Sequence, residues 1–340
     1  MDNILLRARR GGVTEGERRG HAAVVDGEGR LVASIGNPDH VAFLRSAAKP
    51  FQALPFVEAG GMEAFGLEDR HLAVMIASHN AERIHIDTVR EILDRVEISE
   101  EDLRGGVHPP FHERSRYEVI CRGGSFGPIH NNCSGKHAGM LALAKLKGWP
   151  LDSYLDPDHP VQRAVKEAIE EVTGVRFGPA ETGVDGCGIP TFALPVRAVA
   201  RGFARVATGD LPEPRRSAAA RIVSAAVARP DLIAGTDRVD TDVMREGGGR
   251  VFSKQGAMGI IGVGLLDRRL GFALKMEDGY FEDMGPVVRH ALGLLGALSE
   301  PDGGITALPM RNWAGREVGR LECDFRFAAS PEADWPGRYN

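Results

Sequence analysis

Residues 130–137 read HNNCSGKH, so two histidines, two asparagines, a cysteine and a lysine crowd eight positions. Burying so many polar and titratable groups together is costly unless chemistry uses them. Cys133 and Lys136 stand three apart, and residues 183–192, GVDGCGIPTF, offer Asp185 and Cys187. If the two segments meet, two thiolates, an amine and a carboxylate form a soft donor set able to hold zinc. Lysine is an uncommon ligand because its amine must lose a proton to bind. The plainer alternative is a pair of buried cysteines beside turn glycines, and on these residues alone it has the edge.

Three further segments carry chemistry. In residues 45–56, RSAAKPFQALPF, Ser46 and Lys49 are three apart and share one face of a helix starting near Ser46. There a lysine whose pKa is lowered by burial can take the serine proton and make the hydroxyl a nucleophile. The bland reading is a helix start followed by a solvated lysine. In residues 74–93, VMIASHNAERIHIDTVREIL, an apolar run ends in Ser78, His79, Asn80 and Glu82. Small polar residues at the end of a buried element often line a site, although Ser78 can equally be a helix cap. In residues 251–259, VFSKQGAMG, Lys254 leads from a strand into glycines that leave the backbone bare. An edge-strand lysine that discourages aggregation is the alternative.

Elements at both ends of the chain must position these groups. HAAVVDGEGRLVASIGN reads as two strands around the turn 27–30, GIIGVGLLDRRLGFALKMEDG as a pair around 267–269, and EVGRLECDFRF as an alternating strand. The middle is helical. HPVQRAVKEAIEEVTG sets Val161, Val165, Ile169 and Val172 at helical spacing, with Asp158 a candidate cap and Gly174 a stop. RSAAARIVSAAVARP and GPVVRHALGLLGAL follow the same pattern. The expected class is α+β: an antiparallel sheet built from N- and C-terminal strands, packed with helices, with a cleft between the layers.

Composition sets the outer bounds. The 340 residues, 43% hydrophobic and 26% charged, describe an ordinary globular chain. A net charge of −5 gives no basic field for nucleic acid, and no apolar run reaches the roughly 18–20 residues that span a bilayer. The start, MDNILLRARRGG, lacks the apolar stretch of a secretion signal, so the expected place is the cytoplasm. Four dispersed cysteines, Cys121, Cys133, Cys187 and Cys323, form no C-x-x-C pair, and the phosphate-loop patterns are missing.

Taken in order, RSAAKPFQ, ASHN, HNNCSGKHAGML, DGCGIP, AGTDRVDT and NWAGREVG run over most of the chain. This set resembles the L-asparaginase II family, the Rhizobium etli-type asparaginases, whose fold is akin to serine β-lactamases, penicillin-binding proteins and β-lactamase-like glutaminases. The resemblance implies one domain over residues 1–340, helical at roughly 46–230. It implies a homodimer that hydrolyses L-asparagine to L-aspartate and ammonia. It further implies tandem serine–lysine pairs, Ser46 with Lys49 and Ser78 with Lys254, and zinc held by Cys133, Lys136 and Cys187 with Asp185 close by. Arg45, Asn80, His137 and Asp185 are the candidates to hold the substrate. The family carries glycine after the SHN triplet where this chain has Ala81, which puts the placing of Glu82 in doubt. Ser253 and Met258 also stand where other residues are as familiar in the family, while Lys254 matches. Two rivals stand beside this reading: a hydrolase whose zinc-bound water attacks the amide, and an amino-acid-binding protein without turnover.

Overall fold

The computed structural model describes residues 3–280 and 282–331. Its twelve strands are β1 (Ile4–Arg10), β2 (Val13–Asp26), β3 (Leu31–Ile35), β4 (Val41–Phe43), β5 (Thr182–Val184), β6 (Pro190–Pro195), β7 (Val251–Gly256), β8 (Ile260–Leu265), β9 (Leu270–Met276), β10 (Thr306–Arg311), β11 (Glu317–Cys323) and β12 (Ala328–Ala329). The main sheet runs β10-β11-β1-β2-β9-β8-β7, with β3 and β12 joined beside β2. Strands from the two ends of the chain therefore pair directly: β1 with β11, and β2 with β9 from Gly20↔Met276 to Asp26↔Leu270. Both pairings are antiparallel, as expected from the terminal hairpins. Strands β7, β8 and β9 are buried almost throughout, β7 although it is an edge strand, which explains their largely apolar runs.

Apart from β5 and β6, the chain between β4 and β7 is largely helical and covers one face of the sheet. Helix Val196–Thr208 lies on β2, β8 and β9. Helix Pro160–Thr173 buries Val161, Val165, Ile169 and Val172, and Gly174 ends it in the left-handed conformation. Its cap is His159 and not Asp158: the His159 ring accepts the Val161 N–H, and the ring's other nitrogen meets Pro150 O. Among the described residues no helix is long and apolar enough to cross a membrane.

Two local arrangements bring the polar segments together. A small sheet, β4-β6-β5, joins the segment before Ser46 to the segment after Cys187, with Phe43 opposite Ala193 and the Leu44 N–H donating to Phe192 O. The motif at 45–49 and the motif at 183–192 are thereby neighbours. Helix Ser134–Lys147 packs backbone to backbone on helix Asp69–Met75: a Cβ at Gly135 would lie 2.1 Å from Val74 O. That contact brings Ser134 to Ala144 wholly inside, Lys136 and His137 included.

Ala81 adopts φ 59°, the left-handed region that glycine enters freely and alanine does not. Glu82 follows directly. It opens helix Arg83–Val96, and its carboxylate accepts the Thr236 N–H and hydroxyl. Replacing Ala81 with glycine relieves the left-handed cost of about 1–2 kcal/mol, against a glycine entropy loss of about 0.5–1 kcal/mol. We therefore expect Ala81→Gly to match or exceed wild-type stability by up to ~1 kcal/mol in urea unfolding. A loss of ~1 kcal/mol, the ordinary cost of glycine in regular structure, would contradict the strain.

Candidate active site

The segment at 45–52 forms a 3-10 turn, Arg45–Ala48, running into the short helix Lys49–Gln52 with Pro50 in its first turn. Ser46 is half-buried, and Lys49 is buried completely. Helix Asp69–Met75 ends just before Ser78, whose N–H donates to Ile233 O, and the Asn80 N–H donates to Ala234 O. Residues 78–80 are thus laced to the segment that carries Arg238 and Asp240. On the other side β7 brings Lys254 and Gly256 against the turn: a Cβ at Gly256 would lie 2.8 Å from Leu44 O, so glycine permits the approach. Together these elements enclose a cavity of about 300 Å³ lined by Ser46, Ser78, Phe111, Asn132, Arg238, Gln255, Gly256 and Ala257. That volume is at the small end of ligand pockets and suits a free amino acid.

The pairing of serines and lysines differs from the expected one. Lys49 Nζ donates to Ser78 Oγ at 2.9 Å, to Asn132 O at 3.4 Å and to Ala77 O. Ser46 and Ser78 face the same cavity, and of the two hydroxyls it is that of Ser78 that Lys49 touches. Lys254 turns the other way, to Asp240 Oδ2 at 3.3 Å and Gln255 O at 2.7 Å. Asp240 is fully engaged, since it also accepts the Ser253 hydroxyl at 2.7 Å and the Gln255 N–H at 2.9 Å. Burial lowers the Lys49 pKa, against the opposing pull of the Cys133 sulfur, with Lys136 adding to the lowering. Burial likewise pushes Lys254 down to about 8 despite Asp240, helped by Lys49 and Arg238. Two ammonium groups held close in a dry site disfavour each other's charge, and an amine that sheds its proton easily is what a base requires.

Backbone strain marks the same walls. Among the described residues six non-glycine positions have positive φ, and three of them adjoin cavity residues: Arg45 (48°) before Ser46, Asp237 (56°) before Arg238 and Met258 (61°) after Ala257. Such conformations cost free energy and gather where function fixes the backbone.

Behind Lys49 lie the cysteines. Cys133 starts helix Ser134–Lys147, held by Asn131, whose Oδ1 accepts the Cys133 N–H at 2.8 Å and whose amide donates to Gly105 O and Gly106 O. Cys187 sits in the β5–β6 turn, closed by the Asp185 N–H to Ile189 O bond and by Gly188 at φ 89°. Lys136 Nζ donates to Cys187 Sγ at 2.7 Å. Cys133 and Cys187 share a hydrogen bond that lowers the Cys133 pKa well below the thiol range and raises that of Cys187. Burial disfavours the Lys136 charge, but the two sulfurs outweigh it and raise its pKa. Arg45 Nε donates to Asp185 Oδ1 at 2.8 Å and so closes the turn on the Ser46 segment. Among the described residues no group of three or more His, Cys, Asp or Glu side chains is placed to hold a metal. The third member beside the two thiols is an amine.

Of the other expected residues, His137 bonds Tyr154 Oη at 2.6 Å and lies inside the helical layer, with burial holding its pKa well below the usual histidine value. Asn80 is buried and donates to Thr236 O at 3.2 Å, as a strut to the loop of Arg238. Arg238, Asp240, Phe111, Asn132 and Gln255 are the site residues that sequence reasoning did not assign. Arg238 and Asp240 lie within AGTDRVDT, one of the motifs that carry the family resemblance, and the motif itself does not say which charge faces the site.

The family described as L-asparaginase II matches residues 6–323. Among solved structures the chain is similar to Mglu in its tris and glutamate form, at 18% identity and a TM-score of 0.40, over 87% of this chain and 64% of that one. Mglu in its native form gives 18%, 0.37, 84% and 66%, and a beta-lactamase from Mycobacterium bovis 13%, 0.36, 82% and 95%. The chain thus spans less than two-thirds of the length of Mglu, and at such TM-scores these likenesses carry no part of the argument. No curated protein matches the chain in sequence. The family match, which takes in the serine, lysine and cysteine segments and nearly the whole chain, identifies this protein as a member of the L-asparaginase II family.

Proposed function

We propose that the protein hydrolyses L-asparagine to L-aspartate and ammonia, with Ser46 as nucleophile. The observation that carries this reading is Lys49: a lysine stripped of water, 2.9 Å from Ser78 Oγ, behind a cavity that Ser46 and Ser78 share. Amide hydrolysis needs an activated nucleophile, a proton for the departing nitrogen and donors for the oxyanion. Ser46 Oγ attacks the side-chain carbonyl and its proton passes to the Lys49 amine. The tetrahedral adduct collapses as that proton is delivered, through the Ser78 hydroxyl, to the leaving nitrogen, which departs as ammonia. Water then attacks the ester on Ser46, gives its proton back through the same pair and releases aspartate. Backbone N–H groups of the 45–48 turn and of Gly256–Ala257 are the oxyanion donors in this reading, each worth about 2.7–4 kcal/mol in comparable enzymes. Burial, with the charge of Lys136 beside it, keeps the neutral form of Lys49 accessible, while Lys254 stays tied to Asp240. The same reading takes residues 1–340 as one asparaginase-type unit that works as a cytoplasmic homodimer.

The chemistry of the buried donor set fits a zinc ion. Two neighbouring sulfurs and an amine that touches one of them are soft donors, so a dication in place of their protons leaves no buried charge uncompensated. Cys133, Lys136 and Cys187 would hold the ion, and Asp185, fixed by Arg45, lies beside them. When bound it would act as a Lewis acid and template next to Lys49.

Ser46→Ala should lower ammonia release from asparagine by about 10³-fold or more with the thermal unfolding profile kept, since only the attacking oxygen is removed. Turnover within tenfold of wild type would end the serine reading. For the metal, elemental analysis after chelator-free purification should give about one zinc per chain in wild type and under a tenth of that in Cys187→Ala. Wild type that stays metal-free after zinc is added would leave the cysteines as buried structural thiols.

A further inference from the structure

Asparagine carries an α-carboxylate, and burying an anion requires a cation. Neither of the two candidates from sequence lines the cavity. Arg45 is bound to Asp185 at 2.8 Å, and His137 is bonded to Tyr154 within the helical layer. Arg238 is placed differently. It is half-buried and lines the same 300 Å³ cavity as Ser46 and Ser78, and among the described residues it has no carboxylate at ion-pair distance. Of the acids flanking it in sequence, Asp237 and Asp240, neither is in ion-pair contact with it, and Asp240 has spent its oxygens on Ser253, Lys254 and Gln255. One face of Arg238 rests over the Phe111 ring, 6.0 Å from its centroid, which steadies a guanidinium while leaving its N–H fork free. The loop beneath it is fixed twice, by Asn80 and Glu82 bonding Thr236 and by the left-handed Asp237. Burial lowers the pKa of Arg238, as expected of a cation waiting for a counter-charge.

We infer that Arg238 is the anchor for the substrate's α-carboxylate, gripping it through the guanidinium fork and so presenting the side-chain amide to Ser46. The inference rests on the proposed function, because it takes the Ser46–Ser78 cavity as the site of amide hydrolysis. It makes the enzyme selective for amides that bear a free carboxylate, with the reach from Arg238 to Ser46 setting the permitted chain length.

The test compares ligands that differ only in that carboxylate. Calorimetry measures binding of L-aspartate and of β-alanine, which is aspartate without its α-carboxylate, to the wild type, Arg238→Gln and Arg238→Lys. Kinetics compares kcat/KM for L-asparagine and for 3-aminopropanamide, which is asparagine without it. A fork grip on a carboxylate is worth about 10–10²-fold. Wild type should therefore favour the carboxylate-bearing member of each pair by at least tenfold. Arg238→Gln should shrink both preferences to within about twofold, and Arg238→Lys should recover part of them, which also guards against a variant that fails to fold. A preference that persists undiminished in Arg238→Gln, or wild type that lacks one, overturns the inference. The binding arm separates this from failure of the proposed function: wild type that binds L-aspartate through Arg238 but releases no ammonia from asparagine refutes the reaction and leaves the anchor standing.

Discussion

Three lysine ammonium groups withdrawn from water within one region set the terms for the rest of the molecule. Lys49, Lys136 and Lys254 are each almost wholly buried, and an ammonium in a dry interior is costly unless acceptors replace the water it has lost. Each has a different solution: a hydroxyl and backbone carbonyls for Lys49, a thiol for Lys136, a carboxylate and a carbonyl for Lys254. No single element could supply all three sets. The helix Ser134–Lys147, the β5–β6 turn, strand β7 and the segment after Asp69–Met75 have to converge, and their convergence is the site.

The sheet and helices serve that convergence. Closing the main sheet from both ends of the chain puts β7 at its edge, against the turn that carries Ser46. The small β4-β6-β5 sheet fixes the same turn to the Cys187 segment, and Arg45 on Asp185 clamps the two. Chain flexibility is removed where chemistry is proposed, and the cost appears as positive φ at Arg45, Asp237 and Met258. A nucleophile and a base pre-placed in this way need little reorganisation during reaction.

Much of this was legible in the sequence. Short apolar runs around turn residues located the terminal hairpins, and the 161/165/169/172 stripe located its helix to within a residue. The resemblance gathered the serine, lysine and cysteine segments into one site, and the structure places these segments side by side. What stayed hidden depended on tertiary direction. Spacing put Ser46 and Lys49 on one helical face, but the ammonium points past that turn to Ser78, a partner 29 residues on. Arg45 and His137 looked free because their partners, Asp185 and Tyr154, lie 140 and 17 residues away. Asp240 and Arg238 stand two apart in one motif, yet one is consumed by Lys254 and the other is left open to the cavity. Only the strap from 78–80 to 233–236 decides which is which.

The central claim is covalent: asparagine passes through an ester on a serine. Partitioning with hydroxylamine tests it most directly, because a common acyl-enzyme must divide between water and hydroxylamine in one ratio whatever group has left. Wild-type enzyme in hydroxylamine should give the same ratio of aspartate β-hydroxamate to aspartate from L-asparagine and from the β-methyl ester of L-aspartate. Ratios that differ between the two substrates, or the formation of no hydroxamate while asparagine is consumed, would contradict the account and assign the attack to water.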